Sequence, residues 1–292
     1  ITAITAQNSR EVRAVAAVTP AMVAAQIDAV LDDFGADAVK IGMLWSAGTA
    51  RQVAARLRAH FPTELAVPIV FDPVLAASTG ASLVAGPDAP AAADPDAARA
   101  AGADAARVAD SAAATAGGTG EGQAEDGAMV AAILPLATLV TPNLPELLRL
   151  TGGAGATAGE PARLERARRL AARGPAVLAK GGHDETTPGE VVDLLVVPAG
   201  RGAPELVVRF AAPRLGARAL HGTGCTLSAA IAARLAGGEN LETAVGGAIA
   251  YVRRAIQASL EVPQAPKSPP APNGGGGAGS LAHFCDPWTT PF

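Results

Sequence analysis

Short apolar runs alternate along this chain with longer stretches whose apolar positions recur at helical spacing, from the first residue to about Leu260. Residues 1–5 read as a strand. A helix is expected over residues 19–34, where Met22, Val23, Ile27, Val30 and Leu31 fall on one face. Thr19 is placed to cap it, and Pro20 suits the first helical position, where a missing N–H leaves nothing unpaired. Residues 38–41 and 69–71 read as strands, with a helix over 49–60 between them. The pattern resumes with a helix near 129–134, a strand at 138–140, a short helix over 145–151, a helix over 160–173 and a strand at 176–179. Residues 191–197 and 205–210 read as a hairpin, and helices over 226–236 and 241–260 close the series. This alternation predicts an α/β fold with a mostly parallel sheet and helices on both faces. Sheets of this kind bind ligands beyond the carboxyl ends of their strands.

Two stretches interrupt the pattern. Residues 86–127 are almost wholly Ala, Gly, Asp, Pro, Ser and Thr. Without large apolar side chains to offset chain entropy, they are expected to form a disordered or loosely helical insertion. Residues 262–279 read as a Pro/Gly linker ahead of the short apolar tail Leu281-Ala282-His283-Phe284. Both are expected to be surface features without chemistry. The organisation is therefore one domain over residues 1–261, followed by a linker and tail over 262–292.

Composition narrows the function. Hydrophobic residues make up 49% and aromatics 3%, so the core must be built from Ala, Val, Leu and Ile. A net charge of −4, with no clustered basic face, argues against nucleic-acid binding driven by phosphate neutralisation. The two cysteines, Cys225 and Cys285, offer no disulfide framework, which fits a reducing, cytoplasmic setting. No apolar run reaches the roughly 18 residues of a membrane span. The start at Ile1, without Met, reads as a truncated beginning, which leaves organelle import open.

The most informative segment is His221-Gly222-Thr223-Gly224-Cys225-Thr226, ahead of the small-residue helix. Its glycines allow consecutive amides to converge on an anion, and the helix start adds unpaired N–H groups and a positive dipole end. A thiol placed there has its anionic form favoured, making Cys225 a candidate base or nucleophile. A glycine-rich helix start with a structural cysteine is the plain alternative. Three further motifs fall at strand ends: Asp72-Pro73-Val74, Thr141-Pro142-Asn143-Leu144-Pro145-Glu146, and Lys180-Gly181-Gly182-His183. Individually, Asp72 and Asn143 suit turn caps, Glu146 a first-turn carboxylate and Lys180 a solvated strand end. Together they supply carboxylates for Mg²⁺, a lysine for phosphate charge and an amide nest, the requirements of phosphoryl transfer.

In these motifs, with Ile4-Thr5-Ala6-Gln7-Asn8-Ser9 and Lys40-Ile41-Gly42-Met43-Leu44, the chain resembles the hydroxymethylpyrimidine/phosphomethylpyrimidine kinases of thiamine biosynthesis, within the ribokinase-like superfamily. Most kinases of that superfamily carry aspartate where this chain has Cys225, whereas the pyrimidine kinases carry cysteine. The resemblance implies a three-layer α/β/α fold and ATP-dependent phosphorylation, with Mg²⁺, of 4-amino-5-hydroxymethyl-2-methylpyrimidine and its monophosphate. It assigns Cys225 as general base, with the amides of Gly222, Thr223, Gly224 and Cys225 around the transferred group. Lys180 and Asn143 fall at ATP, Glu146 and Asp72 at the metal, and Gln7, Met43 and Val74 around the pyrimidine. A homodimer is a further expectation. The family's first strand and glycine-rich loop have no counterpart here, and Ala219-Leu220 stands where Asn-Thr is common. Pyridoxal or pyridoxine kinase is the alternative within the superfamily, and a truncated relative that binds ligand without turnover is the alternative outside enzymes.

Overall fold

The computed structural model describes residues 1–7, 12–62, 67–75, 120–152, 159–200, 202–216, 220–261 and 279–281. In chain order the elements are β1 (Ala3–Gln7), β2 (Val12–Ala17), α1 (Pro20–Asp33), β3 (Val39–Ile41), α2 (Ala47–His60) and β4 (Ile69–Phe71). They continue with α3 (Gly120–Ile133), β5 (Leu139–Val140), α4 (Leu144–Thr151), α5 (Glu160–Ala171), β6 (Ala176–Ala179), β7 (Glu190–Val197) and β8 (Leu206–Pro213). The last are β9 (Leu220–His221), α6 (Thr223–Ala236), α7 (Leu241–Glu261) and β10 (Gly279–Ser280).

The main sheet runs β3-β4-β5-β6-β7-β8, parallel from β3 to β6 and antiparallel from β6 to β8. Its inner parallel strands β4, β5 and β6 are apolar at every position because both faces are covered, and the two-residue side-chain period divides each strand between two cores. Ile69, Phe71, Val140, Val177 and Ala179 join Val53, Leu57, Met129, Ile133 and Leu170 on one face. Val70, Leu139, Ala176 and Leu178 join Leu227, Ile231, Val245 and Ala248 on the other. The three-layer architecture expected from the alternation is therefore present.

The structure departs from the sequence reading in four places. The strand expected over residues 1–5 forms as β1, but it pairs antiparallel with the unexpected β2 in a hairpin separate from the main sheet. Its outward positions are exposed, with Ile4 at 64%. Among the described residues β3 pairs only with β4, and a cleft of about 370 Å³ lies along its other edge, lined by Ile1, Thr2, Val23, Ile27 and Met43. Secondly, α3 takes up residues 120–127 of the expected insertion, and buried Asp126 pairs there with Arg149. The rest of that insertion lies outside the described residues. Thirdly, α6 begins at Thr223 rather than 226, since Gly222 adopts a left-handed conformation (φ 87°) and caps the helix. Lastly, the tail is not wholly a surface feature: β10 pairs parallel with β9, and Leu281 is buried.

Candidate active site

Three neighbouring parallel strands deliver their functional side chains in register. The Asp72 N–H donates to Ile41 O, that of Thr141 to Phe71 O and that of Lys180 to Pro142 O, at 2.8, 2.9 and 2.9 Å. The backbone ladder thus continues one step past β4, β5 and β6, and the residues just beyond it point into a common space. There Lys180 Nζ lies 2.9 Å from Asp72 Oδ1 and 3.9 Å from Glu146 Oε2. Asp72 is 2% exposed, and it also accepts from Thr141 Oγ1 (3.1 Å) and Ser228 Oγ (3.4 Å). A buried carboxylate requires such partners, because an unpaired one is costly.

Glu146 is fixed by a capping box at the start of α4: its N–H donates to Asn143 Oδ1 (2.9 Å), and the Asn143 N–H donates to Glu146 Oε2 (2.8 Å). The capping roles open to both residues from sequence are therefore realised, and they aim the carboxylate at Lys180. Burial pushes the Glu146 carboxyl up to about 7 against the charge of Lys180. At Lys180 burial acts downward, but Asp72 and Glu146 outweigh it and the ammonium is held above its ordinary value. Gly181 is forced by space: a Cβ there would lie 2.0 Å from Val192 O and 2.6 Å from Arg163 Nη1. Its N–H donates to Asp193 Oδ1 at 2.6 Å, anchoring the turn that carries Lys180.

The α6 start faces this cluster. Lys180 Nζ is 3.2 Å from where a Cβ on Gly224 would sit, and Ser228 Oγ, which reaches Asp72, also donates toward the Gly224 and Cys225 carbonyls. With Gly222 as cap, Thr223, Gly224 and Cys225 occupy the first three helical positions, whose amides have no partner within the helix. Cys225 is exposed at the mouth. Desolvation by its neighbours pushes the thiol up, Asp72 and Glu146 add to that, and Lys40 and Lys180 oppose it. The net direction is upward, so the helix start does not by itself hold a thiolate; desolvation outweighs it.

Asp72, Asn143, Glu146, Lys180 and the Gly222–Thr223–Gly224–Cys225 turn are thus brought together. The residues expected from sequence to hold the acceptor are more dispersed. Met43 lines the cleft beside β3, and its carbonyl accepts from Thr2 Oγ1 at 2.7 Å. Gln7 ends β1, and the partly exposed Val74 is tied to the cluster only through the backbone, its N–H donating to Asp72 O at 2.8 Å. Sequence reasoning gave no role to Thr141 or Ser228, though Ser228 lies one turn beyond Gly224 on the same helix face.

A lysine held between two buried carboxylates at parallel strand ends, opposite a glycine-capped helix start, defines a phosphotransferase of the ribokinase-like class. The chain belongs to the phosphomethylpyrimidine kinase family, whose model matches residues 1–94 and 97–269. It is 37% identical over 292 residues to the hydroxymethylpyrimidine/phosphomethylpyrimidine kinase of Rhizobium meliloti (strain 1021), covering 99% of this chain and 86% of that protein. A thiamine biosynthesis bifunctional protein of Geobacter sulfurreducens is 36% identical over 258 residues, which are 88% of this chain and 42% of that protein, so the chain spans less than half of it. The crystal structure of phosphomethylpyrimidine kinase from Clostridium difficile 630 matches with a TM-score of 0.58 at 28% identity, covering 88% of this chain and 84% of that one. These relatives favour the pyrimidine kinase expectation over the pyridoxine alternative.

Proposed function

We propose that this chain transfers the γ-phosphoryl group of ATP to 4-amino-5-hydroxymethyl-2-methylpyrimidine, and then to the monophosphate so formed. The observation that carries the reading is Lys180, bracketed by Asp72 and Glu146 and set against Gly224 at the α6 start. Fixed cations and amides of this kind stabilise the charge that spreads over phosphoryl oxygens during transfer. In the first step Cys225 acts as its thiolate, the form that Lys40 and Lys180 favour, and takes the proton of the hydroxymethyl group as that oxygen bonds to the γ-phosphorus. The bond from that phosphorus to the β–γ bridging oxygen breaks, and ADP leaves with the bridging oxygen. The amides of Thr223, Gly224 and Cys225 hold the moving group, and Lys180 with Asn143 serves the nucleotide phosphates.

Glu146 and Asp72 fit Mg²⁺ by the chemistry of the donor set. They offer hard carboxylate oxygens, and this ion uses one or two carboxylates while keeping phosphate and water as its other ligands. The raised Glu146 carboxyl is a group whose charged form an added cation would restore. When bound, the ion neutralises charge on the phosphate oxygens. Gln7, Met43 and Val74 are assigned to the pyrimidine side.

Cytoplasmic placement and a homodimer belong to the same proposal. No helix among the described residues is long and apolar enough to cross a membrane. Substrate-dependent ADP release, measured with the pyrimidine and with pyridoxine, tests the reading. Higher kcat/KM on the pyrimidine is expected; the reverse order favours the pyridoxine alternative, and ATP binding without consumption favours a ligand-binding relative.

A further inference from the structure

Lys40 is a charged residue beside the site that forms no hydrogen bond or ion pair among the described residues. It lies at the middle of β3, where side chains alternate between the two faces of the sheet. Ile41 and Val39 serve the core on the α1–α2 side, whereas Ala38 packs on the α6–α7 side. By the same alternation Lys40 shares the face of Ala38, and α6 packs against β3 there. Its ammonium lies over Gly42, 2.6 Å from where a Cβ on that residue would stand. Gly42 has no left-handed backbone, and its missing side chain leaves room for the Lys40 ammonium in this position. Among the charges that act on Cys225, Lys40 opposes Asp72 and Glu146. Two lysines of different status therefore act on the thiol, Lys180 engaged by carboxylates and Lys40 not.

We propose that Lys40 is the cation that receives the phosphate of the once-phosphorylated acceptor, and so sets the preference for the second transfer over the first. The proposal rests on the kinase reading and deepens it. The first acceptor is a neutral alcohol; the second is a phosphate monoester carrying close to two negative charges near neutral pH. In the second transfer an unprotonated oxygen of that phosphate bonds to the γ-phosphorus, the bond to the β–γ bridging oxygen breaks and ADP leaves. No proton has to be removed, and the difficulty becomes bringing one anion against another beside Asp72 and Glu146. Lys180 is already held by those carboxylates at 2.9 and 3.9 Å. Lys40 supplies the missing positive charge on the acceptor side of Cys225.

The test compares the unaltered chain with Lys40→Met and Lys40→Arg on both acceptors. Lys40→Met is expected to lower kcat/KM for the monophosphate by about 10- to 100-fold more than for the alcohol, the range set by one charge-assisted contact. Most of that loss should fall on KM, and Lys40→Arg should restore most of the ratio. Equal losses on the two acceptors, or none, overturn the proposal. Calorimetric titration of each acceptor without nucleotide separates this result from failure of the kinase reading. If the unaltered chain turns over neither acceptor, the kinase reading falls. The proposal then stands only if the monophosphate still binds more tightly than the alcohol and Lys40→Met removes that preference. Equal binding of the two acceptors to the unaltered chain overturns it.

Discussion

The two sides of the site are built to different standards. Around Lys180, the ends of β4, β5 and β6 and the starts of α4 and α6 converge on one ammonium, and the polar groups are tied by Thr141, Ser228 and the Asn143–Glu146 capping box. On the far side of β3 the chain offers the β1–β2 hairpin, with Ile4 64% exposed, and an open apolar cleft of about 370 Å³. One side is cross-linked by charge and burial, and the other is attached through the Thr2–Met43 hydrogen bond and the exposed pair of hydrogen bonds between Ile1 and Gln26 of α1. The difference teaches that, on the proposed assignment, the phosphoryl-transfer machinery is preorganised by the sheet itself, while the residues assigned to the acceptor lie on elements at its margin. Preorganised charge is what transfer chemistry needs most, since donors that must reorient at the moment of reaction lose much of their effect.

The sharpest way to break the contrast is Lys180→Met. It leaves Asp72 and Glu146 facing each other in a buried site, and loss of one partner from a buried ion pair costs about 3–5 kcal/mol. Chemical denaturation near neutral pH should show a loss of that order together with loss of ATP-dependent activity. A stability change under about 1 kcal/mol would mean that the cluster is not the rigid side.

A smaller effect is expected at Glu146, whose folded pKa is raised from 4.5 to about 7. The folded chain then holds more protons than the unfolded chain between those values. The stability supplied by the protonated form is complete below about 4.5 and is lost as pH rises through about 7. In metal-free buffer, Glu146→Gln should therefore gain about 2 kcal/mol relative to the unaltered chain near pH 8, and little near pH 4.5. Matching pH profiles for the two proteins would remove burial as the cause. The smallest change belongs to the other side: Ile4→Ser, on the exposed face of β1, should alter unfolding free energy by less than about 0.5 kcal/mol. A loss several times larger would show that the hairpin is as firmly integrated as the Lys180 cluster.

Much of the first region was legible in the sequence because its residues sit where parallel strands end. Asp72, Asn143, Glu146 and Lys180 each follow a short apolar run, and continuous apolar runs mark strands covered on both faces. The links between them were not legible. Ser228 reads as one more small residue in an alanine-rich helix, and only the crossing of α6 over β4 brings its hydroxyl to Asp72. Arg163 reads as part of the charged face of a helix, yet it is 2% exposed and donates to Val192 O behind Gly181. Strand β2 escaped notice because Val12–Ala17 is half alanine, too weak in β-forming residues to stand out. The pairing of β10 with β9 joins segments far apart in the chain and leaves no local pattern at all. The direction of the Cys225 shift was likewise hidden, because it depends first on how far the packed site desolvates the thiol.

The central claim is that this preorganised side transfers phosphate with Cys225 as the base of the first step. The direct measurement is single-turnover phosphorylation of the hydroxymethylpyrimidine by the unaltered chain and by Cys225→Ala, with ATP binding followed in parallel. The account predicts that the variant loses about 10²- to 10⁴-fold in rate, the range for removal of a positioned base, while its ATP affinity stays within about threefold. An unaltered rate in Cys225→Ala, with ATP bound equally well, would contradict it.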